Sequence, residues 1–201
     1  MDIKIPYTPR KHQSYLHKQI DKNRWSVLVC HRRFGKTVCM INHLIRSALL
    51  SKLKNPRFAY IAPTFKQAKS IAWDYMKQFT NKIPYIKFNE TELRVDLPNG
   101  SRITLLGSDS PDGLRGIYLD GCVIDEYANV NSKLFPEIIR PALSDRKGYC
   151  VFIGTPAGMN NNFYELYQHS QGAEDWFNYK AKASETKIVD EEELTKAKEV
   201  M

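Results

Sequence analysis

The feature that most constrains this chain is the stretch from Trp25 to Leu50, which reads as a buried strand, a basic loop and an apolar helix. The loop ends in Gly35, Lys36 and Thr37, and helical spacing of apolar residues follows. A strand that breaks into a loop and restarts as a helix is the context that a phosphate-binding loop requires. In such a loop, glycine lets the backbone approach phosphates, lysine reaches the β and γ oxygens, and the hydroxyl can ligate Mg²⁺. The stretch therefore predicts a nucleotide site.

The loop departs from the usual pattern at one position. The pattern G-x-x-x-x-G-K-[ST] has a glycine where this chain has Cys30. By pattern alone the match is degenerate, and a chance basic turn is the alternative interpretation. A second motif is needed to decide between them.

Adjacent carboxylates supply that second motif. The apolar run from Cys122 to Ile124 reads as a buried strand and ends in Asp125 and Glu126. Two acids directly after a hydrophobic strand are costly unless water, a cation or a partner reaches them. Asp125 is a candidate magnesium ligand and Glu126 a candidate general base for an attacking water. A glutamate in that role favours hydrolysis over phosphoryl transfer to a metabolite.

A third candidate lies at the end of the next predicted strand, at Gly154, Thr155 and Pro156. Thr155 can hydrogen-bond the catalytic water or a neighbouring loop, and could thereby report the γ-phosphate to the rest of the molecule. A threonine at a strand end is ordinarily only a cap. The interpretation of Thr155 as a reporting residue rests on the order of the three motifs along the chain.

The remaining pattern predicts a three-layer α/β fold with a mostly parallel sheet. Strands are expected at RFAYIAP ending at Pro63, after RKG at 146–148, and at DWFNYKAKA. Helices are expected from Phe65 to about Thr80, from about Ser132 to Arg140 ending before Pro141, and near 161–169, with a charged helix from about Asp190. The apolar face of the first of these contains Ala68, Ile71, Ala72, Tyr75, Met76 and Phe79.

Between Ile86 and Leu106 the pattern changes to alternating polar and apolar residues, with Asn99-Gly100 joining two runs. This dipeptide between alternating stretches predicts a hairpin, and so an antiparallel addition beside the parallel sheet. The loop at 108–116 is polar and glycine-rich, and we expect it to lie outside the core.

Composition sets looser bounds. The chain has 201 residues, 42% of them hydrophobic, which is enough for one compact core, and without a long apolar run we expect a soluble intracellular protein. Its four cysteines lie in apolar stretches without CxxC pairing and are expected to be reduced core residues. Residues 1–36 carry +7 of the net charge of +8, beside the predicted nucleotide site. The charge is thus only weak evidence for a nucleic-acid partner, and a solvated basic face is an equal alternative.

The motifs together resemble the ATPase domain of the large terminase subunit of tailed bacteriophages. CHRRFGKT with arginines in a glycine-poor phosphate loop, the LRG tripeptide at 114–116, VIDEYA and FIGTPAG occur in the order of that family. The resemblance implies an additional-strand P-loop fold and ATP and Mg²⁺ as ligands. The site residues that it implies are Lys36 as phosphate clamp, Arg32, Arg33, Phe34, Gly35 and Thr37 in the nucleotide-binding loop, Tyr7 and Gln13 at adenine, Arg33 also in catalysis, and Thr155 in coupling.

The resemblance also implies a biological setting. The family's motor pushes double-stranded DNA into a preformed capsid as a homo-oligomeric ring. Its expected partners are the capsid portal protein and the small terminase subunit, with no membrane, and its expected location is the host cytoplasm and transiently the procapsid portal vertex. We expect residues 1–201 to be a single ATPase domain, without the family's C-terminal nuclease domain. The alternatives are a helicase-like DNA translocase and a nucleotide-gated DNA-binding module without sustained turnover.

Ring ATPases commonly need an arginine that neutralises transition-state charge, supplied in cis or by a neighbour. We predict Arg115, on the polar loop, as the arginine supplied in trans, with Arg140 and Arg146 as further candidates. A surface arginine without this role is an equal alternative.

Overall fold

The computed structural model describes residues 4–190 and residue 192, and the helix expected from about Asp190 lies outside the described residues apart from its start. Within the described residues, one eight-stranded sheet has the order β3-β4-β5-β2-β6-β7-β1-β8. Its strands are β1 (Trp25–Cys30), β2 (Arg57–Ala62), β3 (Lys87–Asn89), β4 (Arg94–Asp96), β5 (Arg102–Gly107), β6 (Gly121–Ile124), β7 (Tyr149–Gly154) and β8 (Trp176–Ala181).

The sheet is parallel except at one edge. Strands β5, β2, β6, β7, β1 and β8 pair in parallel, whereas β3 and β4 pair antiparallel with each other and β4 with β5. The predicted hairpin is therefore confirmed, with Gly100 at a φ of 83° in its turn. Because β7 lies between β1 and β6, an additional strand separates the phosphate-loop strand from the acid strand. The predicted fold class is confirmed.

The described range contains six α-helical or π-helical segments, four of which lie between strands. They are α1 (Lys11–Ile20), α2 (Lys36–Leu50), α3 (65–80), α4 (135–142), α5 (Asn162–Ser170) and α6 (Ala183–Thr186). Side chains alternate along each strand, so two separate apolar clusters form on the two faces of the sheet. One cluster joins the sheet to α1, α2 and α3, and the other joins it to α4 and α5. This gives the three layers.

The predicted buried face of α3 is partly wrong. Ile71 and Tyr75 are 49% and 37% exposed, and Trp73 is buried instead. The middle of the helix, Ala68–Trp73, is a π-helical segment. Its i to i+5 hydrogen bonds widen the turn, so a residue five positions after Ala68 returns to the core face.

Two other expectations need correction. Helix α4 begins at Phe135 and continues through Pro141 to Ala142, where the sequence predicted an end before that proline. Its first part is again a wide π turn, which changes the carbonyl spacing that makes an interior proline clash. In the polar loop, Leu114 is 2% exposed and packs in a core cluster. All four cysteines are buried free thiols, as expected.

No helix in the described part of the chain is long and apolar enough to cross a membrane.

Candidate functional site

The predicted phosphate loop joins β1 to α2 at the carboxyl edge of the sheet. Gly35 has a φ of 86° and caps the helix that begins at Lys36. A Cβ at Gly35 would also meet Nε2 of Gln13 at 3.0 Å, so both backbone conformation and space favour glycine there. The loop therefore presents the N-terminus of a long helix, where backbone N–H groups and the helix dipole favour a phosphate.

Helix α1 supports this loop from behind. The Gln13 amide nitrogen donates to the Gly35 carbonyl at 3.3 Å, and Nη1 of Arg10 donates to the Phe34 carbonyl at 3.2 Å. The Gln13 amide oxygen accepts from the Arg10 backbone N–H at 2.9 Å. Gln13 is 4% exposed, so it is a buried support of the loop rather than the surface residue that glutamine usually is.

A second support for the loop was missed by the sequence reasoning. Phe34 is buried, and its ring lies edge-on to the His31 ring with centroids 5.7 Å apart. Nε2 of His31 is 2.8 Å from the Thr186 hydroxyl on α6. The loop is thus tied to the segment after β8. An aromatic residue inside an otherwise polar loop was the available signal.

The two loop arginines differ from Phe34 in burial. Arg32 and Arg33 are exposed, and Arg33 has a φ of 66°, an uncommon conformation for a side-chain-bearing residue. Both lie in the loop that precedes α2, and their roles in nucleotide binding and catalysis stay predictions.

Asp125 is buried directly after β6. Its Oδ1 accepts from the Glu126 backbone N–H at 2.8 Å, and its Oδ2 accepts from the Tyr60 hydroxyl of β2. Burial raises the pKa of Asp125, and the neighbouring Glu126 carboxylate acts in the same direction, while the Tyr60 hydrogen bond lowers it. A positive charge near this carboxylate would lower its pKa.

Glu126 has the geometry expected of a group aimed at the phosphate loop. Its φ of 45° and ψ of 50° put it in the left-handed region, which turns the chain sharply after β6. Its Oε2 accepts from the Thr155 hydroxyl at 3.0 Å and lies 3.4 Å from the Thr155 backbone nitrogen. Its Oε1 is 3.9 Å from Nζ of Lys36, which also donates to the Cys30 carbonyl at 3.4 Å. Three motifs distant in sequence therefore converge on one carboxylate.

The donor set fits a small hard cation. The hydroxyl of Tyr60 donates to Asp125, and the Thr37 side chain lowers the pKa of the same phenol, so both predicted ligands lie near Tyr60. Among the described residues no three His, Cys, Asp or Glu side chains cluster as a metal cage. Mg²⁺ characteristically binds through one or two protein oxygens and completes its shell with water and substrate phosphates. Thr37 and Asp125 meet that description.

Tyr7 and Gln13 were both predicted at adenine, and Tyr7 contacts α1 one helical turn beyond Gln13. The Tyr7 hydroxyl is 3.1 Å from Nε2 of His17, and its ring contacts Phe79. It lines a cavity of about 720 Å³ that continues along α2 to Arg46 and Leu49. The far end of this cavity, at Leu49, lies roughly 20 Å along α2 from Lys36 at a rise of about 1.5 Å per residue. The volume of this cavity therefore does not identify it as the nucleotide-binding site, and the adenine contact of Tyr7 and Gln13 remains a prediction.

The three arginine candidates lie in different parts of the fold. Arg115 is exposed and lines a cavity of about 460 Å³ with Pro63, Ser108 and Asn129, which follow β2, β5 and β6 closely. Arg115 also lines a second cavity, of about 510 Å³, that reaches Asp145, so its position is not confined to one sheet edge. Arg140 is exposed on α4.

Arg146, by contrast, binds Asp120 at 3.0 Å just before β6 begins, at the opposite sheet edge. This contact holds Arg146 at that edge, away from Glu126.

The strand order and this convergence define a P-loop nucleotide-binding domain of the additional-strand class. The profile of the family described as terminase large subunit, T4likevirus-type, N-terminal, matches residues 29–197. The chain belongs to this terminase large-subunit family. Similarity to known proteins agrees: the large terminase subunit of Thermus virus P23-45 is 30% identical over 182 residues, covering 81% of this chain and 36% of that protein.

Solved structures show the same fold. The large terminase ATPase domain of Thermus phage P74-26 has a TM-score of 0.74 and 22% identity, covering 89% of this chain and 83% of that one. A large terminase from a thermophilic bacteriophage, solved in complex with ADP, has a TM-score of 0.78 and 15% identity, covering 95% of this chain and 50% of that one. This chain spans about a third of the length (36%) of the curated relatives that it matches.

Proposed function

We propose that residues 1–201 form one ATPase domain, and that ATP hydrolysis there drives double-stranded DNA into a preformed capsid. The observation that carries this proposal is the Glu126 carboxylate, 3.0 Å from the Thr155 hydroxyl and 3.9 Å from Nζ of Lys36. A carboxylate held at a phosphate loop can accept a proton from an attacking water. Family membership supports the packaging role.

Each site residue has a defined part in this proposal. Lys36 exchanges its contacts with Glu126 and Cys30 for the β and γ phosphate oxygens. Thr37 and Asp125 would hold Mg²⁺, which when bound neutralises charge on the phosphates. Glu126, freed from Lys36 but still bonded to Thr155, orients and deprotonates the water.

Thr155 is the proposed coupling residue. Its hydroxyl and its backbone N–H both approach one oxygen of Glu126. A change at Glu126 on loss of the γ-phosphate would therefore reach the loop after β7 through Thr155 directly. This is a local hydrogen-bond event with the potential for a wider response, as in other nucleotide switches.

The assembled state supplies the remaining elements of the proposal. We infer that a homo-oligomeric ring forms on the capsid portal protein at the procapsid vertex in the host cytoplasm, with the small terminase subunit as a further partner. Arg115, exposed on the loop before β6, is the proposed trans arginine. Arg33, in the loop itself, is the proposed catalytic arginine in cis.

Phosphate release tests the motor against its alternatives. We would measure it with this chain alone, with double-stranded DNA, and with DNA and portal-bearing procapsids. The proposal expects hydrolysis that DNA and procapsid together stimulate. A nucleotide-gated binding module would bind ATP and release no phosphate, and a helicase-like translocase would respond to DNA without procapsid.

Arg115→Ala tests the trans arginine. We expect turnover of the assembled ring to fall by roughly 10³-fold, a magnitude typical of arginine fingers, with nucleotide affinity of the isolated chain unchanged. Arg140→Ala is the matched comparison, because Arg140 is also exposed. Undiminished turnover in Arg115→Ala would refute the assignment, and a loss confined to Arg140→Ala would transfer it.

A further inference from the structure

Tyr60 has a hydroxyl group in a position where the core needs none. It lies on β2, beside the acid strand β6, and is 1% exposed. Its ring packs in the apolar cluster between the sheet and α2. Phenylalanine would fill the same core volume, and a buried hydroxyl costs free energy unless it is hydrogen-bonded.

The hydroxyl's hydrogen-bond partner belongs to the predicted metal site. It donates to Oδ2 of Asp125, directly after β6. The Thr37 side chain, at the start of α2, is near enough to lower the pKa of the same phenol. One phenol on a third element is thus bonded to one predicted cation ligand and lies near the other.

The Asp125 carboxylate is consequently held at both oxygens. The Glu126 backbone N–H holds Oδ1 at 2.8 Å, while Tyr60 holds Oδ2. Two donors fix the plane of a carboxylate, and each oxygen retains a lone pair for another ligand. Residues that orient metal ligands in this way tune metal affinity without touching the metal.

We propose that Tyr60 is a positioning residue for the divalent cation, holding the Asp125 carboxylate in the orientation in which it and Thr37 can share one Mg²⁺. This inference rests on the proposed nucleotide site. The competing interpretation is structural: Tyr60 only satisfies a buried carboxylate, and its loss would lower stability without a specific effect on the cation.

Tyr60→Phe separates the two, with Tyr149→Phe as the matched control. Tyr149 is a partly buried tyrosine of β7 that packs against the same cluster, and its hydroxyl donates to Ser47 at 3.1 Å, away from Asp125. Each substitution removes one hydrogen bond and retains the ring. Binding of a non-hydrolysable ATP analogue would be measured calorimetrically across a Mg²⁺ titration and again in excess chelator, and thermal unfolding would be followed alongside.

We expect the Mg²⁺ concentration for half-maximal tightening of analogue binding to rise about ten-fold in Tyr60→Phe and not in Tyr149→Phe. Chelator-only binding should stay within about two-fold, since the phenol does not face the phosphates in this proposal. An unchanged Mg²⁺ requirement in Tyr60→Phe, or an equal shift in both variants, would overturn the inference. If the wild-type protein bound the analogue equally well with and without Mg²⁺, that result would overturn the proposed metal site and this inference with it.

A double substitution guards against indirect effects. If Tyr60 acts through Asp125, Tyr60→Phe should add no further shift in an Asp125→Asn background. Additive shifts would show that the phenol acts elsewhere and would contradict the proposal.

Discussion

Buried titratable groups gather in two regions of this molecule, and only one of them has the geometry of an active site. At the carboxyl edge of the sheet, Asp125 and Glu126 follow a buried strand and turn towards Lys36. Between α1 and α2, the histidine cluster (Tyr7, His17, Asp21, His43 and Arg46) is equally rich in polar groups. Both regions contain groups whose pKa values depart from the usual range.

The histidine cluster satisfies its own groups. His17 and His43 stack with Nδ1 atoms 3.0 Å apart, and His17 also bonds Tyr7. Arg46 binds both oxygens of Asp21 at 2.8 Å. Opposite charges are matched within the cluster, so it resembles a structural network.

The carboxylate region differs because its charges are not matched locally. Glu126 is in a left-handed backbone conformation, and its contact with Lys36 is long at 3.9 Å. Strained backbone, a weak ion pair and an exposed helix N-terminus in one place indicate a site prepared for a further charged ligand. A displaced pKa alone does not distinguish the two regions, whereas the pattern of partners does.

The pH dependence of stability gives the largest expected effect and belongs to the histidine cluster. Burial lowers the pKa of His17 to about 4 and of His43 to about 3, from an ordinary 6.5. Below about pH 6.5 the unfolded chain binds protons that the native chain does not bind. The free energy of unfolding therefore decreases as pH falls. Between pH 7 and pH 5 we expect a loss of about 2 to 4 kcal/mol in the free energy of unfolding, measured with urea.

The double variant His17→Gln, His43→Gln should lose most of that dependence if it folds. Wild-type stability that is flat from pH 7 to pH 5 would show that the two histidines are not held neutral. Analogue binding at pH 7 would be measured alongside, because His17 bonds Tyr7, which the sequence predicts at adenine.

Lys36→Ala is expected to weaken nucleotide binding while leaving stability nearly unchanged. Removing its charge-assisted contacts with phosphate should weaken nucleotide binding by roughly 10- to 100-fold, the equivalent of about 1.5 to 3 kcal/mol. Thermal stability should change little, since its ion pair with Glu126 is long. The control is Lys22→Ala, an exposed lysine after α1, and equal affinities for the two variants would remove Lys36 from the site.

Asp21→Asn should have the smallest effect. The side chains of Arg46 and Asp21 are 45% and 38% exposed, and ion pairs of that exposure contribute under about 1 kcal/mol. We expect a small drop in the melting temperature by calorimetry and no change in nucleotide affinity. A large loss of nucleotide affinity would join the two regions functionally and break the comparison.

Local patterns in the sequence were sufficient for the architecture. Apolar runs predicted the parallel strands, Asn99-Gly100 predicted the hairpin, and the strand-end acids predicted the site. Each of these signals lies within a few residues of the feature that it describes. The resemblance to large terminases placed the motifs in one family, which the comparisons confirm.

What the sequence could not show depends on contacts between distant residues or on irregular helical turns. Nothing in the sequence distinguishes Tyr60 from an ordinary core aromatic, because its contact with Asp125 depends on the pairing of β2 with β6. The support that Gln13 gives to Gly35 needed the packing of α1 behind the loop. The burial of Trp73 and the passage of α4 through Pro141 follow from π turns, which a period of 3.6 residues cannot anticipate.

The most direct test of the central claim is the turnover of Glu126→Gln compared with Glu165→Gln, an exposed glutamate on α5 outside the site. Single-turnover phosphate release and analogue affinity would be measured for both variants under conditions in which the wild type hydrolyses ATP. We predict that Glu126→Gln binds the analogue as tightly as the wild type and releases phosphate at least about 10²-fold more slowly, while Glu165→Gln matches the wild type. Phosphate release by Glu126→Gln at the wild-type rate would contradict the account, because the carboxylate on which the three motifs converge would then not be the base.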